Sequence, residues 1–181
     1  MIKEFRADLE RYLEQEGSLS RVLGNTAWWS VACYRLGHWL YKEDAPKLVQ
    51  PPLKAVYKAL NKVLEATTEM FLDCQAEIGP GLYISHSGGT HINKDAVIGD
   101  HCDIAHQVTI GTSAMGRAGA PTLGDNVYVG AGAKIVGKIK IGAGAKVSAN
   151  SLVVSNVPPG STVMGVPARV IMKGPPPKTD K

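Results

Sequence analysis

The chain has 181 residues, 44% hydrophobic and 20% charged, with a formal net charge of +4. Its lysines and arginines are scattered, so composition supplies no basic patch for nucleic acid or an acidic membrane, and no run of about 18 apolar residues supplies a transmembrane helix. Twenty glycines against two phenylalanines point to repeated tight turns, not to a large aromatic core.

The N-terminus, MIKEFRADLERYLEQEG, is charged throughout and lacks the apolar centre of a signal peptide. Cys33, Cys74 and Cys102 are odd in number and show no CxxC spacing, which fits reduced thiols in a cytoplasmic protein. Residues 2–15 place Ile2, Phe5, Leu9, Tyr12 and Leu13 on one side of a predicted helix. Further helices are predicted over Thr26–Lys42 and Pro52–Glu69, punctuated by Pro46 and the Pro51-Pro52 pair. This α-helical region, residues 1–70, buries little by itself, so it must pack on the remainder of the chain or on a neighbouring subunit.

From Leu72 the periodicity changes. Aliphatic residues recur every six positions at 72, 78 and 84, then 92, 98, 104 and 110, then 123, 129, 135, 141, 147 and 153. Four residues after each stands a second inward position, among them Ala76, Leu82, Gly88, Ala96, Cys102, Val108 and Val127. Neither a strand nor an α-helix has this period; a parallel β-helix does, with three hexads per triangular coil. Residues 71–165 are therefore assigned to the β-helix and 166–181 to a C-terminal tail. Two extra residues break the register between Ile84 and Ile92, and a longer insertion, TSAMGRAGAPT, follows Ile110.

If three hexads close a coil, Ile84, Ile104, Val129 and Val147 share a face, and the third residue of each hexad gives a stack of His86, His106, Ala131 and Ala149. Two imidazoles beside two small residues suit a base next to a slot for a thin cofactor, although a third-position histidine is also an ordinary solvated wall residue. His86 adjoins Gly88-Gly89, where the backbone can leave strand geometry. Lys134, Lys138, Lys140, Lys146 and Arg169 make the last coils basic, which reads either as a solvated face or as the phosphate end of a cofactor groove.

The segments AEIGPGLYISHSGG, VTIGT and VYVGAGAKIVGKIKIGAGAKVSANSLVVSNVPPGSTVMGVPARV, with ACYRLGHWLY in the helical part, resemble the serine O-acetyltransferase family of hexapeptide-repeat acyltransferases. The resemblance implies an all-β left-handed parallel β-helix with a short N-terminal α-helical region, a homotrimer or dimer of trimers, and acetyl-CoA lying between neighbouring prisms. It implies a role in cysteine biosynthesis, with His86 as general base toward the acceptor hydroxyl, Gly111, Thr112, Ala131, Lys146, Ala149 and Arg169 along the CoA groove, and backbone amides near Gly111 holding the oxyanion.

The chain departs from that pattern at the acceptor. Ser85 replaces the acidic residue before the histidine, and Gly119 and Ala120 replace the Arg-His pair before Pro121, leaving Arg117 as the nearby cation. Phe71 stands where the histidine-orienting acid belongs, with Asp73 as the substitute, and Glu16 is matched with an N-terminal substrate-binding aspartate. The acceptor side is thus expected to involve Ser85, His106, Arg117 and Glu16, and the acceptor to be L-serine or, given the lost charges, a sugar hydroxyl. Two other classes remain open: a metal hydratase like the γ-class carbonic anhydrases, using His101 and His106 across a subunit interface, and a non-catalytic scaffold. A third ligand is missing in the repeat, with His91 the only spare histidine, so no metal is expected.

Overall fold

Strands of two to five residues, separated by tight corners, build the C-terminal two-thirds of the molecule. A computed structural model describes residues 2–42, 45, 46, 48–113 and 118–172. Face A of the prism stacks β1 (Phe71–Leu72), β4 (His91–Ile92), β7 (Thr109–Gly111), β10 (Lys134–Val136) and β13 (Leu152–Val153). Face B stacks β2 (Glu77–Ile78), β5 (Val97–Ile98), β8 (Thr122–Leu123) and β11 (Lys140–Ile141). Face C stacks β3 (Tyr83–Ile84), β6 (Asp103–Ile104), β9 (Tyr128–Val129), β12 (Lys146–Val147) and β14 (Thr162–Gly165). The pairing within these stacks is parallel throughout, and the fold is a left-handed β-helix.

The six-residue register is the register of the core. Ile84 pairs with Ile104, Ile104 with Val129 and Val129 with Val147, and all four are buried. Thirteen aliphatic residues, from Leu72 to Val153, each point into the shaft with exposure of 7% or less, so a single column of branched side chains fills it. One inward position differs from expectation. Gly88 is only half-buried, whereas Thr90 is fully buried and its hydroxyl reaches Ala105 O at 3.5 Å. The two-residue insertion loops outward at Gly88 and Gly89, both at positive φ, and the chain re-enters the shaft at Thr90.

Residues 166–172 are not a tail. After β14 the chain turns at Val166-Pro167, and β15 (Ala168–Met172) returns antiparallel on face C, with Ala168 buried. Residues 173–181 lie outside the described residues.

The helical arm comprises α1 (Ile2–Glu16), α2 (Leu19–Gly24), α3 (Thr26–Tyr41) and α4 (Gln50–Thr68). The one-turn-and-a-half α2 has no periodic signal of its own in LSRVLG. On α1 the expected apolar face is buried around Tyr12, but Ile2 and Phe5 are exposed, and Asp8 is fully buried instead. Asp8 meets the buried Arg35 of α3, and the reason lies in the first coil. A β-helix must end, and its first coil has no coil beneath it to pair with its backbone. Arm side chains do that work: Arg35 donates to Ile78 O and Gly79 O at 2.6 Å each, Tyr34 donates to Ala76 O at 2.8 Å, and Asp8 accepts from Leu82 N at 2.9 Å. Tyr12 both donates to Ile84 O and accepts from Ile84 N. Burial pushes the Asp8 carboxyl above its usual value against the pull of Arg35, as desolvation of a capped end requires. Among the described residues no helix is long and apolar enough to cross a membrane.

Candidate active site

The corner between faces C and A carries His86, His106, Ala131 and Ala149 on successive coils, because their hexads pair in register on face C. Their Cα column follows the stacking of about 4.8 Å per coil. The His86 and His106 rings lie 6.0 Å apart between centroids, tilted by 59°, with His86 exposed and His106 half-buried. Above them the edge is bare. At Gly130 an added Cβ would come within 2.6 Å of Ala149 N, so the coils close up there with no room for a side chain. Gly132 has φ +72 and abuts the Asn150 side chain, a turn that glycine adopts without strain. Ala131 and Ala149 therefore leave the edge that leads to His106 and then to His86 free of bulky side chains.

The arm meets the His86 end of this edge. Asn25 caps α3 by accepting from Ala27 N at 2.9 Å, and its amide donates to Glu16 at 2.8 Å and to Ser85 O at 3.4 Å. Thr26 donates to Ser87 Oγ at 2.8 Å, and Tyr12 holds Ile84. Residues 84, 85 and 87 are thus each tied to the arm, and His86 stands between them. Tyr83 donates to the same Glu16 carboxylate at 3.3 Å, and burial together with that carboxylate pushes its phenol above the ordinary range. Glu16 is thus linked through Asn25 to Ser85, the residue before His86. Asn25, Thr26 and Tyr83 were not foreseen; the signal for Asn25 was its place as a cap directly before a predicted helix.

Other expected residues lie elsewhere. Asp73 does not reach His86 within the chain: it sits at the opposite side of face A, and its carboxylate accepts from Gln75 N at 2.9 Å in its own turn. Gly111 and Thr112 are beside Asp73 in a separate hollow of about 430 Å³, also lined by Glu65, His91 and Asn93. Phe71, in the position expected for an acid, stacks on His91 with centroids 4.4 Å apart. Lys134, Lys140 and Lys146 fall on faces A, B and C in turn, because hexad spacing advances one face per repeat, so the basic coils form no single patch. Lys146 pairs between Tyr128 and Thr162 on face C, and Arg169 is exposed on β15. Lys138 and Lys140 share a hollow of about 490 Å³ with Gly119 and Ala120 at the corner between faces A and B. Arg117 lies outside the described residues. His101 turns at φ +53 over Gly81, at the corner between faces B and C, apart from His106.

The expected cofactor residues thus fall into two sets, Ala131 with Ala149 on the edge between faces C and A, and Gly111 with Thr112 in the hollow beside Asp73.

Known proteins carry the same pattern. The family described as bacterial transferase hexapeptide (six repeats) matches residues 120–155. A serine acetyltransferase of Synechococcus elongatus is 34% identical over 171 residues, covering 94% of this chain and 67% of the relative. Among solved structures, soybean serine acetyltransferase complexed with serine superposes with a TM-score of 0.78 at 33% identity, covering 93% of this chain and 68% of that one. The Brucella abortus serine acetyltransferase in complex with coenzyme A gives a TM-score of 0.78 at 28% identity, covering 95% and 68%.

Proposed function

Since this chain belongs to the serine acetyltransferase family, we propose that it transfers an acetyl group from acetyl-CoA to a hydroxyl acceptor with His86 as general base. The observation that carries this is the order of groups along one edge: a floor of Ala149 and Ala131, two imidazoles, and then the arm. The pantetheine chain lies on the alanines with its thioester toward the histidines. The acceptor enters from the arm side, where Glu16, Asn25 and Thr26 line the approach.

His86 takes the acceptor's proton as its oxygen attacks the acyl carbon. The backbone at 84 and 85 and the Ser87 side chain are held by the arm, so the ring is presented from a fixed base, which is what a general base needs to stay within reach of one hydroxyl. The second set of expected cofactor residues, Gly111 and Thr112, serves the neighbouring copy's slot, which favours a homotrimer. Asp73 lies on that side too, where it would orient the neighbouring copy's His86 and not its own.

The family relation favours L-serine as acceptor, and Glu16 offers a carboxylate for its ammonium group. A specific observation favours a second reading, a sugar hydroxyl: Ser85, Gly119 and Ala120 are uncharged where the resemblance calls for charged serine-binding residues, and a carboxylate left unpaired on burial costs several kcal/mol. Thiol release from acetyl-CoA, measured with L-serine and with a panel of sugars and nucleotide sugars, separates the two. Turnover with neither class would contradict the proposed reaction.

A further inference from the structure

We infer that His106 is a second catalytic imidazole, the acid that protonates the departing CoA sulfur while His86 takes the acceptor's proton. The inference rests on the proposed acetyl transfer and extends it. Along the edge the order is Ala149, Ala131, His106, His86, arm, and each step is one coil of about 4.8 Å. A cofactor lying on the alanines meets His106 before it meets His86, and an acceptor held by the arm meets His86 first. The two ring centroids are 6.0 Å apart, so the imidazoles are near neighbours on this edge, and a thioester laid over them along it has its sulfur on the His106 side and the incoming oxygen on the His86 side.

His106 is half-buried on this edge, and among the described residues neither ring makes a hydrogen bond to another side chain, so both ring nitrogens remain available to the reactants. Its backbone is fixed, with His106 O accepting from Gly132 N at 3.0 Å. The step balances without a further reagent. The acceptor O–H bond breaks and its proton goes to His86; the oxygen–carbon bond forms; the carbon–sulfur bond breaks and the sulfur takes the proton of the His106 imidazolium. Exchange with solvent then returns the proton from His86 and reloads His106. An imidazole can carry a proton in either state near neutral pH, which this division of labour requires.

The test compares His106→Gln and His106→Asn with the wild type on two donors, acetyl-CoA and its oxygen-ester analogue, using the acceptor that turns over best. An alkoxide leaves less readily than a thiolate and depends more on an acid. The expected result is a loss of kcat of about 100-fold on acetyl-CoA, a larger loss on the oxygen ester, and CoA affinity by calorimetry within about twofold of wild type. Equal losses on both donors, activity within about threefold of wild type, or a loss accounted for by weaker CoA binding would each overturn it. His86→Ala runs alongside: full transfer by that variant overturns the proposed reaction as well, whereas its inactivity together with an active His106→Gln overturns only the role of His106.

Discussion

Asp8 and Arg35, from helices α1 and α3, are joined by two buried hydrogen bonds of 2.7 and 3.1 Å, and the same guanidinium caps two carbonyls of the first coil. Arm and prism are therefore one cooperative unit at this point, and the ion pair sits where the β-helix would otherwise expose its ladder.

Removing one partner leaves the other charged and dry. Arg35→Ala is expected to lower stability by about 3–5 kcal/mol, and the double change Asp8→Leu with Arg35→Met to lower it by less than either single truncation. Urea unfolding of Arg35→Ala, Asp8→Ala and the double variant checks this; a double variant at least as damaged as Arg35→Ala would contradict it.

The slot makes a separate prediction. Ala131→Trp places a large ring on the floor between Ala149 and His106 and is expected to raise the KM for acetyl-CoA by about tenfold or more, roughly 1.4 kcal/mol of lost binding, with the fold intact. Steady-state kinetics at fixed acceptor concentration measure it. An unchanged KM would place the cofactor elsewhere.

The thiols predict a pH response. Burial pushes Cys33 and Cys102 up to about 11, and Cys74 is also raised by burial. Attack on a disulfide reagent needs thiolate, so at pH 8 the folded protein is expected to react slowly, to accelerate as pH rises toward 11, and to release all three thiols at once in denaturant. Rapid modification of Cys33 or Cys102 at pH 8 would show that they are not enclosed. The same slow background lets CoA release be followed with such a reagent.

The prism was legible in the sequence because one physical rule governs it: every sixth residue must fill a shaft of fixed width, so Leu72, Ile78 and Ile84 announce three faces before any contact is known. The stack of His86, His106, Ala131 and Ala149 followed from that rule alone. The same rule breaks where chain is added. The insertion at Gly88-Gly89 shifted the inward position to Thr90, since a hexad count cannot tell which residues of a loop return to the core. Asp73 is matched with His86 only through the family resemblance, and the triangular coil puts the two on different corners of the chain. The burial of Asp8 has no signal within its own helix, because its partner, Arg35, lies on another helix and the carbonyls that Arg35 caps belong to a third element. Contacts of that kind carry no local period.

The central claim is that His86 activates the acceptor. The most direct measurement is CoA thiol release by His86→Ala with saturating acetyl-CoA and the preferred acceptor, beside CoA binding by calorimetry. The expected result is a fall in kcat of at least about 100-fold with the dissociation constant for CoA unchanged within about twofold. Wild-type turnover by the His86→Ala protein would contradict the account.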